Sequence, residues 1–199
     1  PYLDKIVMRI ITDPAARAIA YENGEVHMGA FESLPRVINR LKKADGLNVT
    51  AEGYGGIGPL DWLAINTTKG PLADVRVRKA IAYAIDKNFI MKAIMQGTAE
   101  DSRTGIHPDS PFYSADVEAY DLDLDKANAL LDEAGYPKND DTRFSVTIDF
   151  GWPGVKPQVE YVKAALKKVG IDVVVRASAD FPTWAKRMGT MDFDLSWDT

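Results

Sequence analysis

Strand-like and helix-like patterns alternate along the first fifty residues of the chain. The β-branched run Ile6–Ile11 predicts a buried strand. Asp13 then offers an N-cap before Pro14 at the first helical position, and Gly24 closes that helix. A second strand is predicted at 26–31, a second helix at 35–44 and a third strand at 47–52. This β-α-β-α-β order predicts at least part of an open sheet.

The alternation continues after a glycine-rich break at Gly53–Pro59, which we interpret as a domain boundary. Strands are predicted at 62–66, 144–150, 171–175 and 193–197, and helices at 74–86, 88–95, 125–134, 159–169 and 183–188. The segment 98–120 is rich in Pro, Asp and Ser and predicts a long surface loop. The whole pattern is that of a mixed α/β protein.

The helix that follows Asp74 has a well-defined apolar face. Its members recur at helical spacing and are Val77, Ala80, Ile81, Ala84 and Ile85. Arg76 and Lys79 lie off this stripe, and charges of their sign in a first turn oppose the helix dipole by only about a few tenths of a kcal/mol each. We therefore predict a solvated face and assign no binding role to Arg76, Arg78 or Lys79.

Composition excludes several function classes. The 199 residues carry a net charge of −5, which tells against a nucleic-acid-binding domain. The absence of cysteine excludes thiolate metal sites, thiol catalysis and disulfides. The N-terminus lacks a basic leader followed by an apolar stretch, so we expect no signal segment in this chain. The abrupt end at Asp198-Thr199 leads us to expect a piece of a longer protein.

Three motifs are better explained by structure than by ligands. Gly53–Gly58 fits G-x-G-x-x-G, but a strand-like segment follows it where a nucleotide site needs a helix. The alternating Asp121, Asp123 and Asp125 lack the glycine and glutamate of a calcium loop, so helix capping by Asp123 or Asp125 is the better interpretation. His27 and His107 have no partners at metal-ligand spacing. We therefore predict no cofactor and no metal.

The aromatic residues leave two interpretations open. Trp152 lies in a Gly/Pro-rich loop between a strand and a helix, and Trp197 lies at the end of a strand. Ligand pockets of open α/β sheets form at such strand ends. Tryptophan is also large enough to be half-buried for packing alone. Phe150 shares both interpretations, while Trp184 lies on a predicted helix and favours packing.

Several stretches together resemble one known family, the extracytoplasmic solute-binding proteins of peptide-, oligopeptide- and nickel-type ABC transporters (family 5). The stretches are PLADVRVRKAIAYAIDKNFI (71–90), GTAEDSRTGIHPDSPFY (97–113) and YDLDLDKANALLDEAGY (120–136). The opening stretch 1–31 is similar to the segment that precedes these motifs in that family. The resemblance keeps the family's order over nearly the whole chain.

The resemblance implies a fold like that of type II periplasmic binding proteins, with two lobes that close around a ligand. It makes the chain an internal fragment, with residues 1–58 in the first ligand-binding lobe and 59–199 forming most of the second. By position in the family, the residues implied to bind ligand are Asp149, Phe150, Trp152, Arg187, Trp197 and Asp198.

The implied function is capture of a peptide or similar small solute for an ABC importer, without catalysis. Its implied partners are the ligand and the membrane permease subunits, with no nucleic acid, and the implied state is a monomer. The full-length protein would be periplasmic or extracytoplasmic. Two alternatives stay open: a hydrolase acting on peptides or sugars through paired carboxylates, and a purely structural domain with its tryptophans in the core.

Overall fold

The computed structural model describes residues 2–52, 60–138 and 140–199, so the predicted boundary at Gly53–Pro59 lies outside the described residues. The helices are α1 (Pro14–Glu22), α2 (Pro35–Leu41), α3 (Val75–Ala84), α4 (Lys87–Phe89), α5 (Leu124–Glu133), α6 (Lys156–Lys168) and α7 (Phe181–Gly189). The strands are β1 (Trp62–Ile65), β2 (Phe144–Phe150), β3 (Ile171–Ala177) and β4 (Leu195–Asp198). No helix in this part of the chain is long and apolar enough to cross a membrane.

The four strands form one mixed sheet in the order β1-β4-β2-β3. β2 runs parallel to β3 and to β4, and β1 runs antiparallel to β4. The connection from β2 to β3 passes through α6, as a parallel pair requires. This arrangement confirms the mixed α/β class that the sequence pattern predicts.

One face of the sheet carries the hydrophobic core. Side chains alternate along β2, so that Val146, Ile148 and Phe150 face the helices. The helices α3, α5 and α6 cover this face, and the core side chains include Val77, Ile81, Leu131, Val159, Val162, Leu166 and Leu195. The apolar stripe predicted on α3 is therefore a packing stripe.

The opposite face is polar and carries α7. Thr147 and Asp149 point to this side of β2, and Ser196 pairs with Asp149 in register on β4. Two contacts join α7 to this face, from Trp184 Nε1 to Ser196 Oγ at 3.0 Å and from Arg187 Nη1 to Asp149 Oδ1 at 2.8 Å. The fold thus places buried polar groups directly beneath a helix.

Aspartate caps begin the helices where the sequence predicts them. Asp13 accepts a hydrogen bond from the backbone N–H of Ala16, and Asp123 accepts one from that of Lys126. Asp74 caps α3 and also binds the guanidinium of Arg76 in a two-pronged ion pair. Arg76 is exposed, whereas Arg78 and Lys79 are half-buried. Arg78 donates to two backbone carbonyls and Lys79 pairs with Glu118, so all three basic side chains of α3 have partners within the chain.

The first fifty residues depart from the prediction. They form α1 and α2, but the described residues contain no strand at 6–11, 26–31 or 47–52, so those three strand predictions are wrong. A strand needs a neighbouring strand to pair with its N–H and C=O groups, and residues 2–52, 60–138 and 140–199 supply none to these segments. The apolar side chains of Ile6–Ile11 are accordingly mostly exposed, up to 93% at Ile10.

A small second cluster holds α1 and α2 together. Ala18 of α1 and Val37 and Leu41 of α2 are buried against each other. This pair of helices approaches the sheet unit through Asn39, whose Nδ2 donates to Gln96 Oε1 at 3.1 Å. Leu34 lies near Gly154, in the turn after β2. The loop that follows β2 therefore faces the α1–α2 pair.

We predict that Gly170→Ala lowers the free energy of unfolding by about 1–2 kcal/mol, because alanine would have to adopt the left-handed backbone conformation of Gly170. Gly170 has φ +81°, and an added Cβ would lie 3.0 Å from Cγ of Arg143. Arg143 cannot move freely, since its Nε donates to the carbonyl of Val169 at 2.9 Å. Urea unfolding measures the loss, with Gly105→Ala, which enters open space, as control. Equal stabilities would contradict the prediction.

Candidate functional site

The ends of four strands meet at one edge of the sheet. The parallel strands β2, β3 and β4 end there at Phe150, Ala177 and Asp198. β1 begins at the same edge, because Trp62 pairs with Asp198. We call this the carboxyl edge. Loops at such an edge are the usual ligand-binding positions of open α/β sheets.

Three aromatic rings, Trp152, Phe181 and Trp184, form an aromatic cluster at the carboxyl edge. Trp152 and Phe181 stack with centroids 4.9 Å apart and planes inclined by 17°. Trp184 lies 5.4 Å from Phe181 and 6.5 Å from Trp152. Trp152 and Phe181 are 41% and 45% exposed, whereas Trp184 is buried. The stacked pair thus presents an apolar surface to solvent.

Local sequence features place these rings. Asp180 caps α7 by accepting from the N–H of Thr183 at 2.8 Å, and hydrogen bonding by Thr183 lowers the pKa of Asp180. Gly151 allows Trp184 to lie flat against the loop, since a Cβ at position 151 would be 3.0 Å from the indole ring. The loop between β2 and α6 and the first turn of α7 are thereby held side by side.

An ion cluster of Asp149, Arg176 and Arg187 lies between α7 and the sheet. Asp149 is fully buried. Its Oδ1 accepts from Nη1 of Arg187 at 2.8 Å, and Arg176 reaches both carboxylate oxygens, Nε to Oδ1 at 3.0 Å and Nη2 to Oδ2 at 2.9 Å. The hydrogen bonds that Arg176 donates to Asp149 raise the pKa of Arg176. The two arginines leave the buried carboxylate fully compensated.

The two arginines also contact the segments on either side of α7. Arg176 donates to the backbone carbonyl of Asp192, and its Nη1 lies 3.6 Å from the carboxylate of the same residue. Arg187 donates to Ser178 Oγ at 3.3 Å. The cluster therefore touches β2, β3, α7 and both of the segments that flank α7.

Phe150 and Trp197 are mostly buried, 6% exposed each, and belong to the core face of the sheet. Nε1 of Trp197 has no hydrogen-bond partner in the described part of the chain. Asp198 is half-buried, and its neighbour Thr199 donates to Asp61 across the edge at 2.7 Å. Desolvation raises the pKa of Asp61, the Thr199 hydroxyl lowers it and the charge of Asp198 raises it further.

The structure thus brings the six predicted site residues to one region, but in different environments. Asp149 and Arg187 bind each other. Phe150 and Trp197 are buried in the core, and Trp152 is at the surface. Sequence reasoning missed Arg176 and Phe181. Arg176 is a charged residue that directly follows the β-branched run 173–175, a signal that could have marked it. Nothing in the sequence distinguishes Phe181 from a core phenylalanine.

Across residues 2–52, 60–138 and 140–199, no group of three or more His, Asp or Glu side chains is arranged to hold a metal ion. His27 and His107 lie in separate parts of this described chain, and neither approaches the carboxyl edge in any recorded contact. The groups that the edge offers to a ligand are aromatic rings, guanidiniums and carboxylates.

Comparison with known proteins gives consistent matches. Residues 1–198 match the family described as bacterial extracellular solute-binding proteins, family 5 middle. The chain is 30% identical over 184 residues to the dipeptide-binding protein of Escherichia coli, covering 88% of the chain and 32% of that protein. Heme-binding protein A of Haemophilus influenzae is 30% identical over 171 residues, covering 85% of the chain and 30% of that protein.

Solved structures agree with the sequence matches. NikA from Brucella suis, in complex with Fe(III)-EDTA, superposes with a TM-score of 0.80 at 30% identity, over 94% of this chain and 40% of that one. DppA from Helicobacter pylori, in complex with the peptide STSA, gives 0.81 at 27% identity, over 99% and 37%. The chain spans about a third of the length of the curated relatives it matches. It belongs to the bacterial extracellular solute-binding proteins of family 5.

Proposed function

We propose that this chain is part of the substrate-binding component of an ABC importer, which captures a peptide or similar small solute between two lobes. The single observation that carries the proposal is the half-exposed stack of Trp152 on Phe181 at the carboxyl edge. Exposed, stacked aromatic rings at the end of a sheet are suited to bind apolar or planar parts of a ligand. Relatives whose names give dipeptide, heme or nickel as ligand support a small solute.

The six proposed ligand-binding residues divide by their exposure. We propose that Trp152, Arg187 and Asp198 contact ligand directly, since each keeps part of its side chain accessible. Phe150 and Trp197 would support this surface from the core side, and the buried Asp149 would act through Arg187. A few polar groups beside an aromatic surface are enough to orient a small ligand.

We propose that residues 1–58 belong to the first ligand-binding lobe and residues 59–199 to the second. The hydrogen bond from Asn39 to Gln96 and the approach of Leu34 to Gly154 support this, because they set the α1–α2 pair opposite the loop that carries Trp152. The full-length protein would act outside the cytoplasmic membrane as a monomer and deliver its solute to the permease subunits. Lobe closure would then exclude water from the ligand.

The hydrolase alternative needs two carboxylates that share a substrate atom. Asp149 is the one buried carboxylate among the described residues, and both of its oxygens are occupied by guanidiniums. The relatives are named as binding proteins. We therefore propose a binding role without catalysis.

Native mass spectrometry of the full-length protein, purified from its own host without denaturation, tests the proposed function. We expect a mass increment that corresponds to a peptide or another small solute and disappears after unfolding and refolding. A tight-binding solute survives purification because its residence time is long. A protein free of any ligand that also cleaves peptides or glycosides on incubation would support the hydrolase instead.

A further inference from the structure

The ion cluster holds the segment containing α7 at both ends. Arg187, in the last turn of α7, donates to Ser178 before the helix and to Asp149 on β2. Arg176, on β3, donates to the backbone carbonyl of Asp192 after the helix. Both arginines converge on the same carboxylate. The segment 178–192 is therefore tied to two strands through one buried aspartate.

The aromatic cluster depends on where α7 lies. Phe181 and Trp184 both belong to α7, and Trp152 stacks on Phe181 from the neighbouring loop. Trp152 and Phe181 are 41% and 45% exposed, so burial alone does not hold either ring in place. Within α7, Trp184 is tied to the sheet by its hydrogen bond to Ser196. Any rotation of α7 would change the geometry of the stacked pair.

Arginine is required at position 176 for geometric reasons. The planar guanidinium uses Nε and Nη2 on the two carboxylate oxygens and also reaches the carbonyl of Asp192 with the same Nη2. A lysine keeps the charge but is a point donor and does not reproduce this fork. The Arg176→Lys change therefore alters geometry while leaving Asp149 electrostatically compensated.

We propose that Arg176 is a positioning residue of the ligand surface: with Asp149 it fixes α7, and so holds Trp152 and Phe181 in the stacked arrangement that contacts ligand. The ligand-contact part of this inference rests on the proposed function. The positional part concerns the free protein and is independent of which solute binds. No role in direct ligand contact is assigned to Arg176.

The positional part is tested by fluorine NMR of the full-length protein labelled with 5-fluorotryptophan. The Trp152 and Trp184 resonances are assigned by their loss in Trp→Phe variants. Arg176→Lys is expected to shift or broaden both resonances while the Trp62 resonance stays in place. The matched control is Arg76→Lys, because Arg76 forms the same fork with Asp74 and also donates to a backbone carbonyl, far from α7.

Unchanged Trp152 and Trp184 resonances in Arg176→Lys would overturn the inference. Far-UV circular dichroism establishes that the variants are folded. Should Arg176→Lys not fold, Arg176→Gln, which removes the guanidinium fork while Asp149 keeps its hydrogen bond from Arg187, is measured in its place with the same two outcomes.

The binding part is tested by titrating the full-length protein with an equimolar tripeptide mixture and measuring its fluorescence. Arg176→Lys is expected to weaken binding roughly fivefold, the loss expected for one supporting hydrogen bond, with Arg76→Lys unchanged. Shifted resonances with unchanged affinity would overturn the role in ligand binding. If the unaltered protein binds no tripeptide, the proposed peptide ligand is wrong, and the fluorine spectra still decide the role of Arg176.

Discussion

Asp149→Asn is expected to lower the free energy of unfolding by about 3 kcal/mol, because it removes the charge that compensates two guanidiniums on a covered face of the sheet. Asp149 is fully buried, while the side chains of Arg176 and Arg187 keep 30% and 25% of their surface exposed. Water access to the arginines holds the effect at the lower end of the range for buried ion pairs. Urea denaturation followed by circular dichroism measures it.

The control for this change is Asp172→Asn, on the neighbouring strand β3. Asp172 is half-buried, and no ion pair is recorded for it with the described residues. We expect a change of no more than about 0.5 kcal/mol there. If Asp149→Asn and Asp172→Asn were equally stable, the ion cluster would contribute nothing to the fold.

Trp184→Ala is expected to cost about 3 kcal/mol of stability, as large-to-small changes of buried aromatic residues do. Trp184 is 8% exposed, packs on Gly151 and donates its indole N–H to Ser196, which is itself fully buried. The substitution opens a cavity beneath the aromatic cluster and leaves the Ser196 hydroxyl without this partner. Thermal or urea unfolding measures the loss.

Trp152→Ala serves as the comparison, because the same atoms are removed at a site that is 41% exposed. We expect about 1 kcal/mol or less there, since much of the ring already faces water. The difference between the two tryptophans separates a ring that supports the fold from one that presents a surface. Equal losses at the two positions would contradict this division.

The sequence predicts the sheet unit well, because its signals are local. The strand Phe144–Phe150 is found at its predicted bounds, and Asp74 caps its helix as predicted. Of the two caps considered for α5, Asp123 is the one that caps it. The helix predicted at 88–95 is found as the short α4 followed by a π-helical turn at Ile90–Ile94. That difference shifts hydrogen bonds by one residue and leaves no trace in the hydrophobic pattern.

The three strands predicted before residue 53 are wrong because a hydrophobic pattern does not show whether a strand has a pairing partner. A run such as Ile6–Ile11 has the composition of a buried strand, but a strand also needs a neighbour, and periodicity does not tell which segment supplies it. The helices of the same region need no such partner, and both are found, although α2 ends at Leu41, three residues before its predicted end. The confirmed elements are helices, whose hydrogen bonds are made within the segment, and the wrong ones are strands, whose hydrogen bonds need another segment.

The sequence predicts only part of the candidate site, because the rest depends on contacts between distant segments. Trp152 could be placed at a strand end from the sequence alone, and its exposure agrees with a surface role. The sequence does not predict that Asp149 and Arg187, which are 38 positions apart, bind each other. Their contact depends on how α7 lies on the sheet. Arg176 faces Asp149 only through the parallel register of β2 and β3.

The most direct test of the proposed function is calorimetric titration of the full-length protein and its Trp152→Ala variant with a tripeptide library. We expect at least about a tenfold weaker affinity for the variant, because the exposed stack on Phe181 is the surface proposed to supply apolar contact to the ligand. Thermal unfolding of both proteins establishes that the variant stays folded. The same affinity in both proteins would contradict the claim that the aromatic cluster at the carboxyl edge binds the solute.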